Sequence, residues 1–216
     1  MIKKNKGFIL VTTFITLLPM FVGLFLWNQL PDKMPTHFNG QGIVDGYSGK
    51  PFAVIGIYLF CAAMHLLCAF VTAADPRKSN ISQKIYRLIL SICPLVSLFV
   101  AVTMYGTALN YNILSVDTLS ILLVGVLYIV LGNYLPKCRQ NYTIGIKLPW
   151  TLSNEDTWNY THRMAGKWWI GGGILTILAS FQHLIDPVYI FIAITLIITL
   201  IPAVASYLYY RKHMGF

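Results

Sequence analysis

Two polar stretches of this sequence hold residue types that could do chemistry. In the first, His37, Asn39 and Asp45 lie among glycines that let the chain fold back on itself, so the imidazole and the carboxylate could converge on a metal ion or a ligand. The same side chains could instead satisfy backbone groups in turns. One histidine and one aspartate make an incomplete metal site, so a structural or ligand-contact role is favoured. The predicted contact residues of this stretch are His37, Asn39, Asp45 and Lys50.

The second stretch, 135–167, is the longest polar segment of the chain and is rich in cations and tryptophan. Glu155 and His162 could act as acid and base, but no nucleophile stands at a spacing that would pair with either. Catalysis is therefore disfavoured: the protein is predicted not to be an enzyme and to need no cofactor. The predicted contacts with a partner or with lipid are Arg139, Asn141, Lys147, Trp150, Glu155, Trp158, His162 and Arg163.

Long apolar runs separate and position these two stretches. Hydrophobic residues make up 56% of the 216 residues and charged residues 11%, against about 25% charged residues in ordinary soluble domains. Apolar residues in long continuous runs predict a protein whose solvent is lipid. The net charge of +9 is attributed to membrane topology, because no basic cluster interleaved with aromatics lies on a soluble element. Direct binding of nucleic acid is therefore not expected.

Six of the runs are close to the length of about 20 residues that a membrane-spanning helix needs. They are 8–27, 52–73, 85–108, 118–134, 168–184 and 188–210. With these spans, fourteen of the 16 Lys and Arg residues fall on one side and only Lys33 and Lys50 on the other. The positive-inside rule then places both termini and 135–167 in the cytoplasm. The predicted fold class is an all-α integral membrane protein with six transmembrane helices.

A short amphipathic helix is predicted within the cytoplasmic stretch. Ser153 with Asp156 resembles a capping box, which indicates a helix start near Asn154. Trp158 and His162 share one face of this helix, since they are four residues apart. The tryptophans of the stretch are expected at the level of the lipid headgroups, where their amphipathic rings are stable.

The other polar segment, 30–50, shows neither a helical nor a strand period and is predicted to be a turn-rich loop outside the membrane. Within the apolar runs the ionisable candidates are His65 and His183. His65 is predicted to be neutral and hydrogen-bonded to a Ser or Thr hydroxyl of a neighbouring helix. Glycines 171–173 are predicted to allow close helix packing.

Two motifs in these polar segments carry a family resemblance. The first resembles the signature of a domain of unknown function that begins SdpI-type bacterial membrane proteins, through Pro31, Pro35, His37, Asn39, Gly42, Asp45, Gly46 and Lys50. The second is similar to the central signature of the SdpI family, through Pro136, Arg139, Asn141, Gly145, Lys147, Pro149, Trp150, Thr151, Asn154, Glu155, Trp158, Thr161, His162, Arg163 and Gly166. Leu148 departs from the second motif, in which threonine is common at that position.

The resemblance implies a multi-pass protein of the bacterial cytoplasmic membrane. It implies an N-terminal helix pair with its outer loop, 1–75, followed by an SdpI-like four-helix region, 76–216. The namesake of the family protects its host from a secreted peptide toxin and, on sensing toxin, holds a cytoplasmic repressor at the membrane. The implied partners are therefore the lipid bilayer, a peptide toxin and a cytoplasmic repressor. The alternatives are a small-molecule transporter and a membrane metalloenzyme with His37 and Asp45 as ligands.

Overall fold

A computed structural model describes residues 1–111, 115–181 and 187–214, and these residues are mostly helical. In chain order the elements are α1 (Lys6–Phe25), β1 (Lys33–Phe38), β2 (Val44–Gly49), α2 (Ile57–Ala74), α3 (Gln83–Ala108), α4 (Val116–Tyr134), α5 (Pro149–Ser153), α6 (Glu155–Ala179) and α7 (Pro187–Met214). Five residues of π-helix, Phe52–Gly56, lead into α2. The apolar runs form helices because a backbone in lipid must satisfy its hydrogen bonds within its own segment.

Five helical segments in the described residues are long and apolar enough to cross a membrane. They are Lys3–Phe25, Phe52–Ala74, Gln83–Ala108, Val116–Lys137 and Pro187–His213. These match five of the six predicted spans. The other predicted span, 168–184, begins in the second half of α6, and its last residues lie outside the described residues, as does His183. Six spans and the orientation derived from them therefore stay predictions.

The chain forms two compact units, Met1–Ala74 with Gln83–Val116, and Asp75–Ser82 with Asp117–Phe216. In this division α3 belongs to the N-terminal unit, because it packs against α1 and α2, and that unit has three long helices. The domain boundary near residue 75 stays a prediction. The segment between α2 and α3 in sequence belongs to the C-terminal unit.

The N-terminal unit has a core of buried side chains where its helices meet its strands. These side chains are Leu30, Met34, Ala53, Val54, Tyr58, Met104 and Tyr105. Gly23 of α1 permits a close approach of α3, because a Cβ at this position would lie 2.3 Å from the Tyr105 hydroxyl oxygen. That hydroxyl donates a hydrogen bond to the carbonyl of Pro19 at 3.1 Å. Packing and a polar contact therefore join α1 to α3 at the same place.

His65 of α2 is fully buried, and its Nε2 lies 2.9 Å from Oγ1 of Thr12 in α1. The predicted hydrogen bond to a hydroxyl of a neighbouring helix is confirmed. Ser97 of α3 donates to the carbonyl of Thr16 at 2.7 Å, so α1 has a polar link to each of its two partner helices. Such bonds between helices in lipid are worth about 0.6 kcal/mol on average.

The predicted turn-rich loop at 30–50 is instead an antiparallel β-hairpin, so the all-α prediction is wrong at this point. Lys33 pairs with Gly49 at the base and Phe38 with Val44 near the tip, with two register irregularities between them. The irregular register removes the alternation by which a strand is recognised in sequence. Pro35 in β1 also argues against a strand, because proline cannot donate to a ladder and is confined to edge strands.

In the C-terminal unit, α6 packs closely against α4 and α7 through glycines. A Cβ on Gly173 would lie 2.6 Å from the carbonyl oxygen of Gly125 in α4. A Cβ on Gly172 would lie 2.5 Å from Cγ2 of Ile198 in α7. The predicted close packing is therefore present at two of the three consecutive glycines. Gly171 differs, because a Cβ there would meet nothing within 4 Å.

The start of α6 agrees with the predicted helix start, but its length does not. The N-cap is Asn154, whose Oδ1 accepts the backbone N–H of Thr157 at 2.7 Å, whereas Ser153 is the last residue of α5. The predicted short helix is only the first part of a helix of 25 residues. Its predicted shared face, with Trp158 and His162, is buried inside the protein.

Candidate functional site

His37 of β1 and Asp45 of β2 form a hydrogen-bonded pair on the surface of the hairpin. Nδ1 of His37 lies 2.5 Å from Oδ1 of Asp45, and the two side chains are 72% and 44% exposed. Gly46 stands opposite His37 in the strand register, and a Cβ on Gly46 would lie 2.8 Å from the Cβ of His37. The glycine therefore leaves the space in which the imidazole side chain sits.

The pair supplies only two ligands for a metal ion. No cluster of three or more His, Cys, Asp or Glu side chains suited to a metal occurs within the described ranges. Structural zinc sites use four protein ligands and catalytic ones three. His37 and Asp45 also bond to each other, so a metal ion would have to displace that hydrogen bond.

Asn39 and Lys50 hold the turn and the base of the hairpin. Oδ1 of Asn39 accepts the backbone N–H of Ile43 at 2.9 Å and so shapes the turn. Nζ of Lys50 lies 3.0 Å from Oδ1 of Asp32 and donates to the carbonyl of Trp27 at 3.3 Å, and its side chain is 12% exposed. Of the four predicted contact residues, these two are therefore engaged in local structure.

The hairpin also exposes two large apolar side chains, Ile43 at 62% and Tyr47 at 61%. The two strands form a two-stranded sheet in which Met34 and Pro35 of β1 are buried, whereas the residues of β2 are half-buried or exposed. Met34 on β1 is fully buried in the core of the N-terminal unit. The hairpin thus presents polar and apolar side chains from a fixed base.

In the C-terminal unit, the polar segment after α4 folds around one buried carboxylate, Asp75. It accepts hydrogen bonds from the backbone N–H groups of Arg77 and Tyr142, at 2.7 and 2.9 Å, and from Oγ1 of Thr143 at 2.5 Å. Burial opposes ionisation of this carboxyl, but the hydrogen bonds together outweigh it and lower the pKa of Asp75. An ionised Asp75 therefore fastens the segment after α2 to the segment after α4.

Gln140 makes a second set of links within the same unit. Its side-chain oxygen accepts a hydrogen bond from the Arg77 guanidinium. Its side-chain nitrogen donates to the carbonyls of Thr151 and Leu152 in α5, at 2.8 and 3.0 Å. Its backbone carbonyl accepts from Nδ2 of Asn80 at 2.7 Å. Gln140 thus connects its own loop by hydrogen bonds to the segment after α2 and to α5.

Trp158 and His162 of α6 form a buried stack beneath the loop, with ring centroids 4.0 Å apart. Nδ1 of His162 donates to the Trp158 carbonyl at 2.8 Å, and Nε2 accepts the backbone N–H of Ile146 at 2.9 Å. Nε1 of Trp158 donates to the Cys138 carbonyl at 2.7 Å. Burial lowers the pKa of His162 to about 4, although its bond to the Trp158 carbonyl favours the charged form. Both imidazole nitrogens are engaged, which leaves neither for acid–base chemistry.

Gly145 allows the loop to pass over this stack. Its φ is +118°, and a Cβ there would lie 2.4 Å from Nε2 of His162 and 2.9 Å from the ring of Trp158. Asn141 is 2% exposed, and its Oδ1 accepts two backbone N–H groups of the residues that follow, at 2.9 and 2.7 Å. The loop is therefore a tightly specified structure that side chains hold from within.

The predicted contact residues of this stretch separate into two groups. Trp158, His162 and Asn141 are buried inside the protein, so their side chains are covered while the loop is folded, and the level of Trp158 in the membrane stays a prediction. Trp150 is half-buried, and its Nε1 donates to Oγ of Ser206 in α7 at 2.7 Å. The exposed residues, for which the contact role stays a prediction, are Arg139, Lys147, Glu155 and Arg163.

Sequence reasoning missed Asp75 and Gln140. Asp75 is the single acidic residue among the cations of 74–87, and counting basic residues treated that segment only as positive charge. A lone acid in a cationic segment directly after an apolar run was the available signal. Gln140 carries no comparable signal, because its partners Arg77 and Asn80 lie about sixty residues away in the chain.

Comparisons with known proteins match both regions. The SdpI/YfhL protein family matches residues 137–209, and a domain of unknown function (DUF1648) matches residues 14–62. Immunity protein SdpI of Bacillus subtilis (strain 168) is 26% identical over 217 residues, which cover 99% of this chain and 99% of that protein. No solved structure matches the chain. The resemblance drawn from the two motifs is confirmed.

Proposed function

We propose that this chain, which joins a DUF1648 region to an SdpI/YfhL region, is a membrane protein that protects bacterial cells from a secreted peptide toxin. The observation that carries the proposal is the similarity to an immunity protein over 99% of both chains. The matched regions contain the hairpin and most of the loop after α4, so both candidate contact surfaces fall within the resemblance.

We assign contact with the toxin to the hairpin. Ile43 and Tyr47 offer apolar area, and His37 with Asp45 offers a polar pair next to it. The strand β2, whose residues are half-buried or exposed, can add backbone hydrogen bonds to an extended peptide, and neighbouring side chains supply selectivity in such an arrangement. An amphipathic peptide meets all three features at once, whereas a small hydrophilic substrate would use only one.

The test is survival of a toxin-sensitive bacterial strain that expresses the full chain and is challenged with a panel of secreted amphipathic peptides. Wild type is expected to raise survival against at least one peptide. The double variant Ile43→Ser, Tyr47→Ser is expected to lose this protection at equal abundance in the membrane. Lys84→Gln, an exposed cation of the same unit, is the matched control and is expected to keep it.

The two failures are distinguishable. If wild type protects against none of the peptides, the immunity function is contradicted. If the hairpin variant protects as well as wild type, only the assignment of toxin contact to the hairpin is contradicted.

The proposal extends to signalling through the loop after α4. Arg139 and Lys147 are exposed on a loop that is already folded, and they offer positive charge to an acidic surface of a cytoplasmic repressor. The double variant Arg139→Glu, Lys147→Glu is expected to keep protection and to lose toxin-dependent retention of the repressor in the membrane fraction. Unchanged retention would contradict this extension and leave the immunity function standing.

A further inference from the structure

A groove of about 310 Å³ runs between α6 and α7 of the C-terminal unit. Its apolar lining residues are Gly171, Gly172, Leu175, Ile194, Ile197 and Ile198. Lys167 and Trp168 line it on the side nearest the start of α6. The volume falls in the range of about 300–1,000 Å³ that is usual for small-molecule pockets.

Gly171 is the residue of the glycine triplet that helix packing does not explain. Gly172 and Gly173 each face a neighbouring helix at a distance that excludes any Cβ, but a Cβ on Gly171 would meet nothing within 4 Å. A larger residue at 171 would therefore cost no packing inside the protein. It would instead fill the groove, because Gly171 is one of its lining residues.

A second groove of about 440 Å³ shares Lys167 with the first and is much more polar. Arg163 also lines it and lies one helical turn before Lys167, so both cations are on one face of α6. Neither cation has a salt bridge or hydrogen bond to any residue of the described ranges. Asp156 is the one acidic side chain in the lining. The second groove therefore carries a net positive charge.

We propose that the two grooves together bind one anionic phospholipid. Its acyl chain lies along the apolar groove beside Gly171, and its phosphate group lies against Arg163 and Lys167. Basic pockets next to membrane-spanning helices bind anionic headgroups in this way. Trp168, which lines the apolar groove and follows Lys167 in α6, has the amphipathic ring that is enriched where hydrocarbon meets headgroups. A helix of a partner protein would cover the apolar groove but leave both cations without a counter-charge.

The experiment uses the purified full chain in lipid nanodiscs and the fluorescence of Trp168. Phosphatidylglycerol or phosphatidylcholine with brominated acyl chains is added at the same low mole fraction, because bromine quenches a tryptophan that it touches. The Trp168 signal is taken as the difference between wild type and Trp168→Phe. Brominated phosphatidylglycerol is expected to quench this signal several-fold more strongly than brominated phosphatidylcholine.

Variants of each groove separate the two parts of the site. In the double variant Arg163→Gln, Lys167→Gln, the two lipids are expected to quench the Trp168 fluorescence equally. Lys84→Gln removes an exposed cation outside the grooves and is expected to behave as wild type. Gly171→Leu is expected to reduce quenching by both lipids. Gly7→Leu is its control, because a Cβ on Gly7 also meets nothing within 4 Å.

Three results would overturn the proposal. The first is equal quenching of wild type by the two lipids. The second is a preference for phosphatidylglycerol that survives removal of both cations. The third is a Gly171→Leu variant whose quenching is unchanged but whose oligomeric state shifts, since a second copy of the chain would then be the occupant of the groove.

Discussion

The hairpin and the loop after α4 both carry polar residues that the family motifs single out, but they use them in opposite ways. His37 and Asp45 stand on the surface of the hairpin with one hydrogen bond between them. Asn141, Thr151 and His162 are buried, and each makes two or more hydrogen bonds inside the C-terminal unit. A motif residue can therefore be an exposed surface group in one region and a structural support in the other.

The difference follows from how each backbone satisfies its own polar groups. The two strands pair their N–H and C=O groups with each other, which leaves their outward side chains free. The loop after α4 has no ladder, so side chains must accept its buried N–H groups. Asp75 accepts the backbone N–H of Tyr142, and His162 accepts that of Ile146. Asn141 accepts the backbone N–H groups of Thr143 and Ile144.

The largest expected effect is from Trp158→Ala, which empties a fully buried site and removes the hydrogen bond to the Cys138 carbonyl. The free energy of unfolding should fall by about 3–5 kcal/mol. The matched change in the hairpin, Tyr47→Ala, should alter it by less than about 0.5 kcal/mol because that side chain is exposed. Denaturant unfolding of the detergent-solubilised chain measures both. Similar losses for the two variants would contradict the difference between the regions.

Two glycines with positive φ provide the next test. Gly145→Ala forces a side chain to φ +118° and against His162 and Trp158, which should cost about 2–5 kcal/mol. Gly42→Ala in the hairpin turn, at φ +73°, should cost only about 1–2 kcal/mol. Gly42→Asn should recover part of that loss, since asparagine tolerates this conformation. The same unfolding measurement applies, and an equal cost at both glycines would count against a tightly specified loop.

The pH dependence of stability should come from the loop. The pKa of His162 is about 4 in the folded chain and about 6.5 in the unfolded chain, so the unfolded state binds a proton first as the pH falls. Stability should decrease from pH 6.5 toward pH 4, by up to roughly 3 kcal/mol. Asp75, whose folded pKa is also lowered, should add a further loss only below about pH 4. His162→Gln should flatten the upper part of the curve, and an unchanged slope in that variant would exclude this histidine as its source.

The smallest effect on stability should come from His37→Gln combined with Asp45→Asn. An exposed pair of this kind contributes at most about 1 kcal/mol. The same double variant should reduce protection from the toxin, because the pair lies next to the proposed peptide contacts. Thermal unfolding of the purified variant measures the loss of stability, and the survival assay on cells that express the same variant measures the loss of protection. A large stability loss would place the pair with the structural residues of the loop.

The helices could be predicted because a run of about 20 apolar residues has few alternatives in lipid. The hydroxyl partner of His65 could also be anticipated in kind, since a buried imidazole in a bundle needs a polar neighbour. The hairpin could not be predicted from the sequence, because its irregular register and Pro35 conceal the strand pattern. The length of α6 was hidden for another reason: its first turns are polar and only its second half is apolar.

The sequence by itself determined which segments are apolar helices, where α6 begins, and the family that the two motifs resemble. These depend on neighbouring residues and on the demands of lipid. Only the tertiary structure decided that Asp75 and Gln140 hold the loop, that Trp158 and His162 are buried, and that His37 and Asp45 stay on the surface. Thr143 reaches Asp75 across 68 positions of the chain, and which polar groups find such partners depends on the folded path of the whole unit.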